Sequence, residues 1–253
     1  MTKYIIIANW KSNPDAPGRA AILAHGIEEG IQGLRGVEVV IAPPFPYLLP
    51  ISNVIKKAKL GSQNMFWEDV GPYTGEVSWH HLRHIKANFV IIGHSERRRY
   101  CGETDSMINK KVKAALENGL TPILCIGENE RVDNDIPAVV GEQLRHALAQ
   151  VKKSHLKNLI VAYEPVWAIS TTVGAVSDTP DNAFRALVYI RKILADLYGR
   201  KLADLVRVIY GGSVNAKNIE SFLLEGKMQG ALVGGASLDP KEFVEIIKKA
   251  SEC

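Results

Sequence analysis

The feature that most constrains the fold is a series of eight short apolar segments spread along the whole chain. Most of these segments are nearly continuous rather than alternating, as is typical of parallel strands covered on both faces. They span residues 4–10, 37–43, 58–64, 88–94, 121–127, 158–164, 206–212 and 230–235.

Amphipathic helical patterns lie between these segments. Residues 179–199 begin with Thr179 as an N-cap and Pro180 at the first helical position, and they end on Gly199. Similar helices are predicted for residues 107–119, 138–153 and 239–250. The succession of strand and helix predicts an α/β domain with a parallel sheet.

Eight such units in 253 residues match the size of a closed (β/α)8 barrel, the TIM barrel, with helices surrounding eight parallel strands. An open, doubly wound sheet is the alternative, because periodicity alone does not show that a sheet closes. No Gly/Ser-rich linker or break in composition divides the chain, so residues 1–253 are predicted to form one domain.

Composition excludes several classes of protein. The chain is 46% hydrophobic and 23% charged, with a net charge of +4 that allows a weak preference for anionic small molecules. The basic run 97–99 is too short to suggest nucleic-acid binding, and residues 4–10 are too short for a signal peptide. Cys101, Cys125 and Cys253 have no CxxC spacing, which argues against a disulfide framework or a cysteine zinc site. We expect a cytoplasmic protein with no nucleic-acid or membrane partner.

Polar residues and glycines follow several of the predicted strands. In a barrel the active site lies at the carboxyl ends of the strands, so these residues are candidates for it. They are Asn9-Trp10-Lys11, Gln63-Asn64, His94-Ser95-Glu96, Glu164, Gly211-Gly212-Ser213 and Gly234-Gly235.

The glycines after the last two strands favour a phosphate site. Glycine lets the backbone approach an anion closely, and exposed N–H groups favour negative charge. Barrels of this type often bind phosphate after strands seven and eight. Either glycine pair alone could simply form a tight turn, but two pairs at adjacent strands favour phosphate.

Four of the polar residues form an acid/base set. Taken singly, Glu164 could be a solvated acid, His94 a core histidine and Lys11 the partner of a surface acid. Together, Glu164 could remove a proton from carbon next to a carbonyl, while His94, Lys11 and Asn9 stabilise the oxygen that gains charge. The loop behind Glu164 could then close and exclude water.

Other chemical patterns are weaker. His80 and His84 have helical spacing but lack the glutamate of HExxH, which favours a surface helix over a zinc site. Cys125 lies in an apolar strand, so packing is a better explanation for it than nucleophilic chemistry. The chain has no GxGxxG, P-loop or GxSxG motif.

A set of motifs along essentially the whole chain resembles the triosephosphate isomerase family. AYEPVWAI and GHSERR are highly specific when they occur in one chain. The motifs are ANWK (8–11), SQN (62–64), YTGEVS (73–78), IIGHSERR (91–98), CIGE (125–128), AYEPVWAI (162–169), YGGSV (210–214) and LVGGASL (232–238).

The resemblance implies interconversion of dihydroxyacetone phosphate and D-glyceraldehyde 3-phosphate through an enediolate. Glu164 would be the base that moves a proton between C1 and C2. His94 would be a neutral imidazole that donates to the carbonyl oxygen, and Lys11, with Asn9 beside it, would balance the charge of phosphate and enediolate. Glu96 would be a partner behind these groups rather than a proton donor.

The same resemblance implies that backbone N–H groups of Ser170, Ser213, Gly234 and Gly235 bind the phosphate. It implies neither a metal nor a cofactor. It also implies a homodimer, in which Thr74 of the YTGEVS loop supports the site of the other subunit.

The segment after AYEPVWAI departs from the family pattern. The family usually has glycine, threonine, glycine and lysine there, whereas this chain reads STTVGAVSD at residues 170–178. With Ile169 and Pro180 aligned, this lid is about three residues longer than usual. Glycine tolerates backbone angles that serine and threonine resist, so the lid is either a harmless variant, which we favour, or one with altered closure kinetics.

Two other functions stay open. One is another phosphosugar enzyme on the same fold, such as an epimerase or an aldolase-like lyase, although the chain shows neither metal ligands nor a suitably placed strand lysine. The other is a non-catalytic phosphate-binding or scaffold protein that retains the site without using it.

Overall fold

The computed structural model describes residues 4–131, 135–170, 172 and 174–253, and its strands form a closed barrel. Each strand pairs in parallel with the next one along the chain, and β8 pairs with β1. The (β/α)8 barrel is therefore confirmed, and the open-sheet alternative is wrong. The strands are β1 Tyr4–Asn9, β2 Val37–Ala42, β3 Lys59–Ser62, β4 Ala87–Ile92, β5 Thr121–Ile126, β6 Ile160–Tyr163, β7 Arg207–Tyr210 and β8 Gly230–Val233.

Helices follow the strands around the outside of the barrel. Among the described residues, three short 3-10 helices lie in the connections: Lys153–Asn158, Val166–Ala168 and Gly235–Leu238. The α-helices are α1 Pro17–Gly30, α2 Phe45–Val54, α3 Trp79–His84, α4 Ser95–Cys101, α5 Asp105–Glu117, α6 Ala138–Ala147, α7 Pro180–Tyr198, α8 Arg200–Ala203, α9 Ile219–Leu224 and α10 Pro240–Glu252. Among the helices described, none combines the length and apolar character needed to cross a membrane.

The apolar core has two layers, which explains why the strand segments are nearly continuous in hydrophobicity. Alternate residues of a strand point to opposite faces, so in β1 Ile5 and Ile7 fill the barrel interior. Ile6 and Ala8 face outward and pack beneath the helices. Both faces of each strand are thereby covered, as parallel sheets require.

Local signals set the ends of α7 and α10. The Thr179 hydroxyl accepts a hydrogen bond from Asn182 N, Pro180 opens α7, and Gly199 ends it with φ +86°. Asp239 caps α10 by accepting the N–H groups of Lys241 and Glu242. These N-caps confirm the predicted starts of both helices.

The helix predicted for residues 138–153 is too long, because α6 ends at Ala147. The side-chain amide of Asn109 donates to the carbonyl oxygens of Ala147 and Ala149, each at 2.9 Å. Gln150 adopts a left-handed conformation with φ +61°, which breaks the helical hydrogen-bond pattern. A contact from α5 and a left-handed residue therefore end the helix early.

A group of charged side chains connects three strands near their amino ends. Glu38 on β2 lies 2.5 Å from Lys59 Nζ on β3 and 2.6 Å from Arg207 Nη1 on β7. The Glu38 side chain is 10% exposed, so these two cations are its main electrostatic partners.

Candidate active site

The carboxyl ends of the strands surround a cavity of about 320 Å³. Eight of the predicted site residues line it, so the barrel brings together side chains that are far apart in sequence. These residues are Asn9, Lys11, His94, Glu164, Ser170, Ser213, Gly234 and Gly235.

Glu164 follows β6 directly and is almost completely buried, with 2% of its surface exposed. Its backbone N–H donates to Ile126 O at 2.8 Å, which fixes the chain as it leaves the strand. Carboxylate Oε2 accepts the backbone N–H of Ser95 at 3.0 Å, and Oε1 lies 3.2 Å from His94 Nε2. In the described part of the chain, Oε1 has no hydrogen bond of good geometry. A buried carboxylate with one uncommitted oxygen is a candidate base.

Two glycines make room for Glu164. A Cβ atom on Gly211 would lie 2.8 Å from Glu164 Cγ, and a Cβ atom on Gly127 would overlap the carbonyl oxygen of Glu164. Each glycine directly follows a strand that neighbours β6, at the point where the backbone passes the acid. Gly127 belongs to the CIGE motif and Gly211 to a proposed phosphate turn, but no sequence signal marks either one for this contact.

His94 lies at the N-cap of α4. Its Nδ1 atom accepts the backbone N–H of Glu96 at 3.2 Å. A ring nitrogen that accepts a hydrogen bond carries no proton, so in this arrangement Nε2 is the donor nitrogen of the ring. The Nε2–H group therefore faces the Glu164 side of the cavity as a donor.

Lys11 is held in an unusual backbone conformation, with φ +52°. Its N–H donates to Asn9 Oδ1 at 3.1 Å, and Gln63 Nε2 donates to both Lys11 O and Ala42 O, at 2.8 and 2.9 Å. A left-handed lysine costs on the order of 1–3 kcal/mol, and these contacts offset that cost. Sequence identified Gln63 as a polar residue at a strand end, and the structure adds that it fixes the Lys11 backbone.

Glu96 does not line the cavity but contacts a residue that does. Its Oε1 lies 2.6 Å from Lys11 Nζ, which directs the ammonium group along the edge of the cavity. The Glu96 side chain is 37% exposed. This geometry agrees with the expected place of Glu96 behind the reacting groups.

The glycine turns after β7 and β8 form the opposite end of the cavity. Ser213 accepts the backbone N–H of Ser170 on its hydroxyl at 2.9 Å, and Asn218 Nδ2 donates to Ser213 O at 3.0 Å. A Cβ atom on Gly235 would meet nothing within 4 Å, and one on Gly234 would lie 3.3 Å from Lys11 Cε. Backbone N–H groups and an ammonium group thus surround space in which an anion can be bound.

The lid begins on a short 3-10 helix and contains a hydrogen-bonded turn. Ala175 N donates to Thr172 O at 3.1 Å, and Gly174 has φ +75°, which suits glycine. Val176 N donates to Trp167 O at 3.1 Å, which joins the two ends of the lid. Thr171 and Val173 lie outside the described residues.

The start of the lid is fixed by a contact that sequence did not reveal. Glu128 accepts hydrogen bonds on Oε1 from Tyr163 OH at 2.7 Å and from Trp167 Nε1 at 3.0 Å. Burial raises the pKa of the Glu128 carboxyl, and these two hydrogen bonds oppose that rise. Glu128 occurs in the CIGE motif, whose spacing gives no hint of this role.

Two other residues of interest lie outside the cavity. Cys125 points into the barrel interior, where burial and then the charge of Glu164 raise the pKa of its thiol well above the ordinary value. It therefore remains a protonated packing residue, as predicted. Thr74 lies in an exposed part of the loop between β3 and α3, so the cavity of its own chain does not include it.

Comparisons with known proteins identify the family of the chain. The family model described as triosephosphate isomerase matches residues 4–250. The triosephosphate isomerase of Dictyoglomus thermophilum is 43% identical over 252 residues, covering 98% of this chain and 100% of that protein. The triosephosphate isomerase of Carboxydothermus hydrogenoformans is 44% identical, covering 98% of this chain and 99% of that protein. The chain belongs to the triosephosphate isomerase family.

Proposed function

We propose that this protein interconverts dihydroxyacetone phosphate and D-glyceraldehyde 3-phosphate, with Glu164 moving the proton between C1 and C2. The observation that carries the proposal is the buried Glu164 carboxylate, whose Oε1 lies 3.2 Å from His94 Nε2. A base and a hydrogen-bond donor at that separation can act on neighbouring atoms of one small substrate.

The carboxylate cannot remove a carbon-bound proton unaided, because the carbon acid is far weaker than the base. The negative charge that develops on the substrate oxygen must be stabilised as the proton leaves. The Nε2–H group of His94, the ammonium group of Lys11 and the amide of Asn9 are the donors available in the cavity. In a cavity from which water is excluded, each of these donors has a larger effect than it would in water.

Glu164 has to move before it can act. Its Oε2 accepts the Ser95 N–H at 3.0 Å, and that hydrogen bond competes with the approach of the carboxylate to the substrate carbon. Gly211 leaves the space in which the side chain can turn, because it has no Cβ next to Glu164 Cγ. Substrate binding therefore selects a second position of this side chain.

The phosphate of the substrate would bind at the glycine turns. We assign its contacts to the backbone N–H groups of Ser170, Ser213, Gly234 and Gly235, with Lys11 supplying positive charge. The Ser170 N–H is bonded to the Ser213 hydroxyl at 2.9 Å, so a phosphate oxygen would replace that hydroxyl as its acceptor. Glu96 orients Lys11 and takes no part in proton transfer.

The proposal also includes a homodimer and a single domain formed by residues 1–253. Val70 and Tyr73 are exposed apolar side chains in the loop that carries Thr74, which supports a homodimer with this loop at the interface. Light scattering after size exclusion tests the dimer, and Thr74→Arg should yield monomers with lower turnover.

Strands β1 and β8, from opposite ends of the chain, pair with one another, which supports residues 1–253 as one domain.

Isomerisation in D₂O, followed by proton NMR, tests the route of the proton. We expect deuterium at the carbon that receives the proton, because the proton on Glu164 can exchange with solvent during turnover. A product that never carries deuterium would indicate hydride transfer and contradict the role of Glu164.

A further inference from the structure

A group of buried and half-buried polar side chains lies at the two ends of the lid, outside the substrate cavity. We call it the lid-anchor cluster. Its members are Glu128, Arg131, Tyr163, Trp167, Asp178 and Tyr210.

Glu128 anchors the end of the lid nearer to Glu164. Its side chain binds Trp167 Nε1 at 3.0 Å, and its backbone oxygen accepts the N–H of Val166 at 2.9 Å. Tyr163 OH donates to the same carboxylate oxygen at 2.7 Å. The 3-10 helix Val166–Ala168, where the lid begins, is thus fixed to the loop after β5 through both the side chain and the backbone of Glu128.

Asp178 anchors the far end of the lid. Its Oδ2 accepts Tyr210 OH at 3.0 Å, and its Oδ1 accepts the N–H of Thr179 at 2.8 Å. Tyr210 ends β7, directly before Gly211, and its ring stacks on Phe222 with centroids 3.9 Å apart. The far end of the lid is thereby joined to the strand that carries a proposed phosphate turn.

Arg131 lies in the same cluster with a side chain that is only 5% exposed. Its Nη2 donates to Tyr163 OH at 3.0 Å, and its Nε lies 3.5 Å from Glu128 Oε1. Its guanidinium carbon lies 5.7 Å from the centre of the Trp167 ring, within the range of a cation–π interaction. One cation therefore contacts Glu128, Tyr163 and Trp167 at the near end of the lid.

The two ends of the lid are connected through paired tyrosines. Tyr163 and Tyr210 are register partners on β6 and β7, and both belong to the outer layer of the core. Each hydroxyl donates to one of the two anchoring acids. Burial raises the pKa of the Asp178 carboxyl, and hydrogen bonds from Thr179 and Tyr210, with the charge of Arg131, oppose that rise. The tyrosine pair thus links the Glu128 anchor, which Arg131 contacts, to the Asp178 anchor.

We propose that Arg131 is a positioning residue for the lid. It holds the near end through its contacts with Glu128, Tyr163 and Trp167, and the Tyr163–Tyr210 strand pair keeps the far end in register with it. Without this cation, Glu128 would be a buried acid that has lost the positive charge facing it, and its hydrogen bonds with Trp167 and Tyr163 would weaken. The inference rests on the proposed function, because a lid with a phosphate contact matters most for a phosphorylated substrate.

Steady-state kinetics on three variants test the proposal. Arg131→Met removes the charge and keeps the length, Arg131→Lys keeps the charge, and Arg145→Met is a control on the exposed face of α6. The substrates are D-glyceraldehyde 3-phosphate and D-glyceraldehyde, which has no phosphate for the lid to contact.

For Arg131→Met we expect kcat/KM with the phosphorylated substrate to fall by about 10- to 100-fold, since small misplacements of positioning groups cost that much. Arg131→Lys should recover most of this loss, and Arg145→Met should stay within about twofold of wild type. Turnover of D-glyceraldehyde should be the same in all four proteins. An unchanged kcat/KM in Arg131→Met, or an equal loss with both substrates, would overturn the proposal.

A readout that needs no turnover separates this proposal from the proposed function. Proteinase K cleavage within residues 170–178, followed by mass spectrometry, should be faster in Arg131→Met than in wild type and unchanged in Arg131→Lys. Equal cleavage rates in all variants would overturn the role of Arg131 even if wild type is active.

If Arg131→Met does not fold, Tyr163→Phe takes its place, because it removes the hydroxyl that joins Arg131 to Glu128. If wild type turned over neither substrate, that result would instead count against the proposed function.

Discussion

The Nδ1 atom of His94 accepts the backbone N–H of Glu96 at 3.2 Å, and this contact leaves the ring proton on Nε2. The same Nε2 atom lies 3.2 Å from Glu164 Oε1. The backbone N–H of Glu96 at the start of α4 therefore determines which ring nitrogen of His94 is the donor. That donor, Nε2, lies next to the base Glu164.

The first prediction concerns this donor. His94→Ala removes the Nε2–H group and should lower kcat by about 10²- to 10³-fold, because one donor to a developing oxyanion contributes on that scale. His94→Gln keeps an N–H donor and should lose less. Both variants should bind the substrate analogue 2-phosphoglycolate with a dissociation constant within about tenfold of the wild-type value, because the phosphate contacts remain. Isothermal titration calorimetry measures this affinity. A His94→Ala enzyme with wild-type kcat would show that another group stabilises the oxygen.

The second prediction concerns the space beside the base. Gly211→Ala places a methyl group 2.8 Å from Glu164 Cγ, so the carboxylate has to shift and kcat should fall by about tenfold or more. The matched control is Gly18→Ala on α1, where a Cβ atom meets nothing within 4 Å. Steady-state or stopped-flow kinetics measure kcat for both variants, and circular dichroism confirms that both are folded. Equal rates in the two variants would mean that Glu164 does not need this space.

The third prediction concerns the backbone of Lys11. Gln63→Met keeps the bulk of the side chain but removes the amide that binds Lys11 O and Ala42 O. We expect Lys11 to relax from its φ of +52° and kcat/KM to fall by about tenfold, since the ammonium group loses its place. Gln32→Met, an exposed amide on the turn after α1, is the control and should have wild-type kinetics. If both variants match wild type, Asn9 alone is sufficient to hold Lys11.

The fourth prediction concerns acid stability. Burial would raise the pKa of Glu38, but hydrogen bonds from Lys59 and Arg207 and their charges outweigh it, so the pKa lies below the ordinary 4.5. A carboxyl whose pKa is lowered by folding stabilises the native state above its unfolded pKa. That stability is lost as the pH falls from about 4.5 through the lower folded value.

Glu38→Gln should therefore lower the free energy of unfolding at pH 7 by about 1–3 kcal/mol, since it removes the negative charge that pairs with Lys59 and Arg207. The difference from wild type should shrink as the pH falls below the ordinary pKa of a glutamate. Urea unfolding between pH 7 and pH 3 measures it, with Glu245→Gln on the exposed face of α10 as the control. A difference that does not depend on pH would contradict the electrostatic explanation.

Much of this architecture could be predicted from the sequence, for a physical reason. In β1, Ile5 and Ile7 face the barrel interior while Ile6 faces the helices, so the strand has to be apolar throughout. The carboxyl ends of parallel strands meet at one end of the barrel, which is why Asn9 and Glu164 could be assigned to one site.

Other features depend on contacts between distant segments, which no local pattern records. The need for Gly211 arises from Glu164 on the neighbouring strand, and the end of α6 depends on Asn109 from α5. Arg131 looks like an ordinary charged residue in a polar loop, yet its side chain is buried against Trp167. Such roles become visible only when the elements are packed together.

The most direct test of the central claim is the turnover of D-glyceraldehyde 3-phosphate by wild type and by Glu164→Gln. An NADH-linked dehydrogenase that reduces dihydroxyacetone phosphate reports the product, and circular dichroism confirms that both proteins are folded. We predict fast turnover by wild type and a kcat that is about 10²- to 10⁴-fold lower in Glu164→Gln, because the amide cannot accept the proton. A folded Glu164→Gln enzyme with the wild-type rate would contradict the assignment of Glu164 as the base.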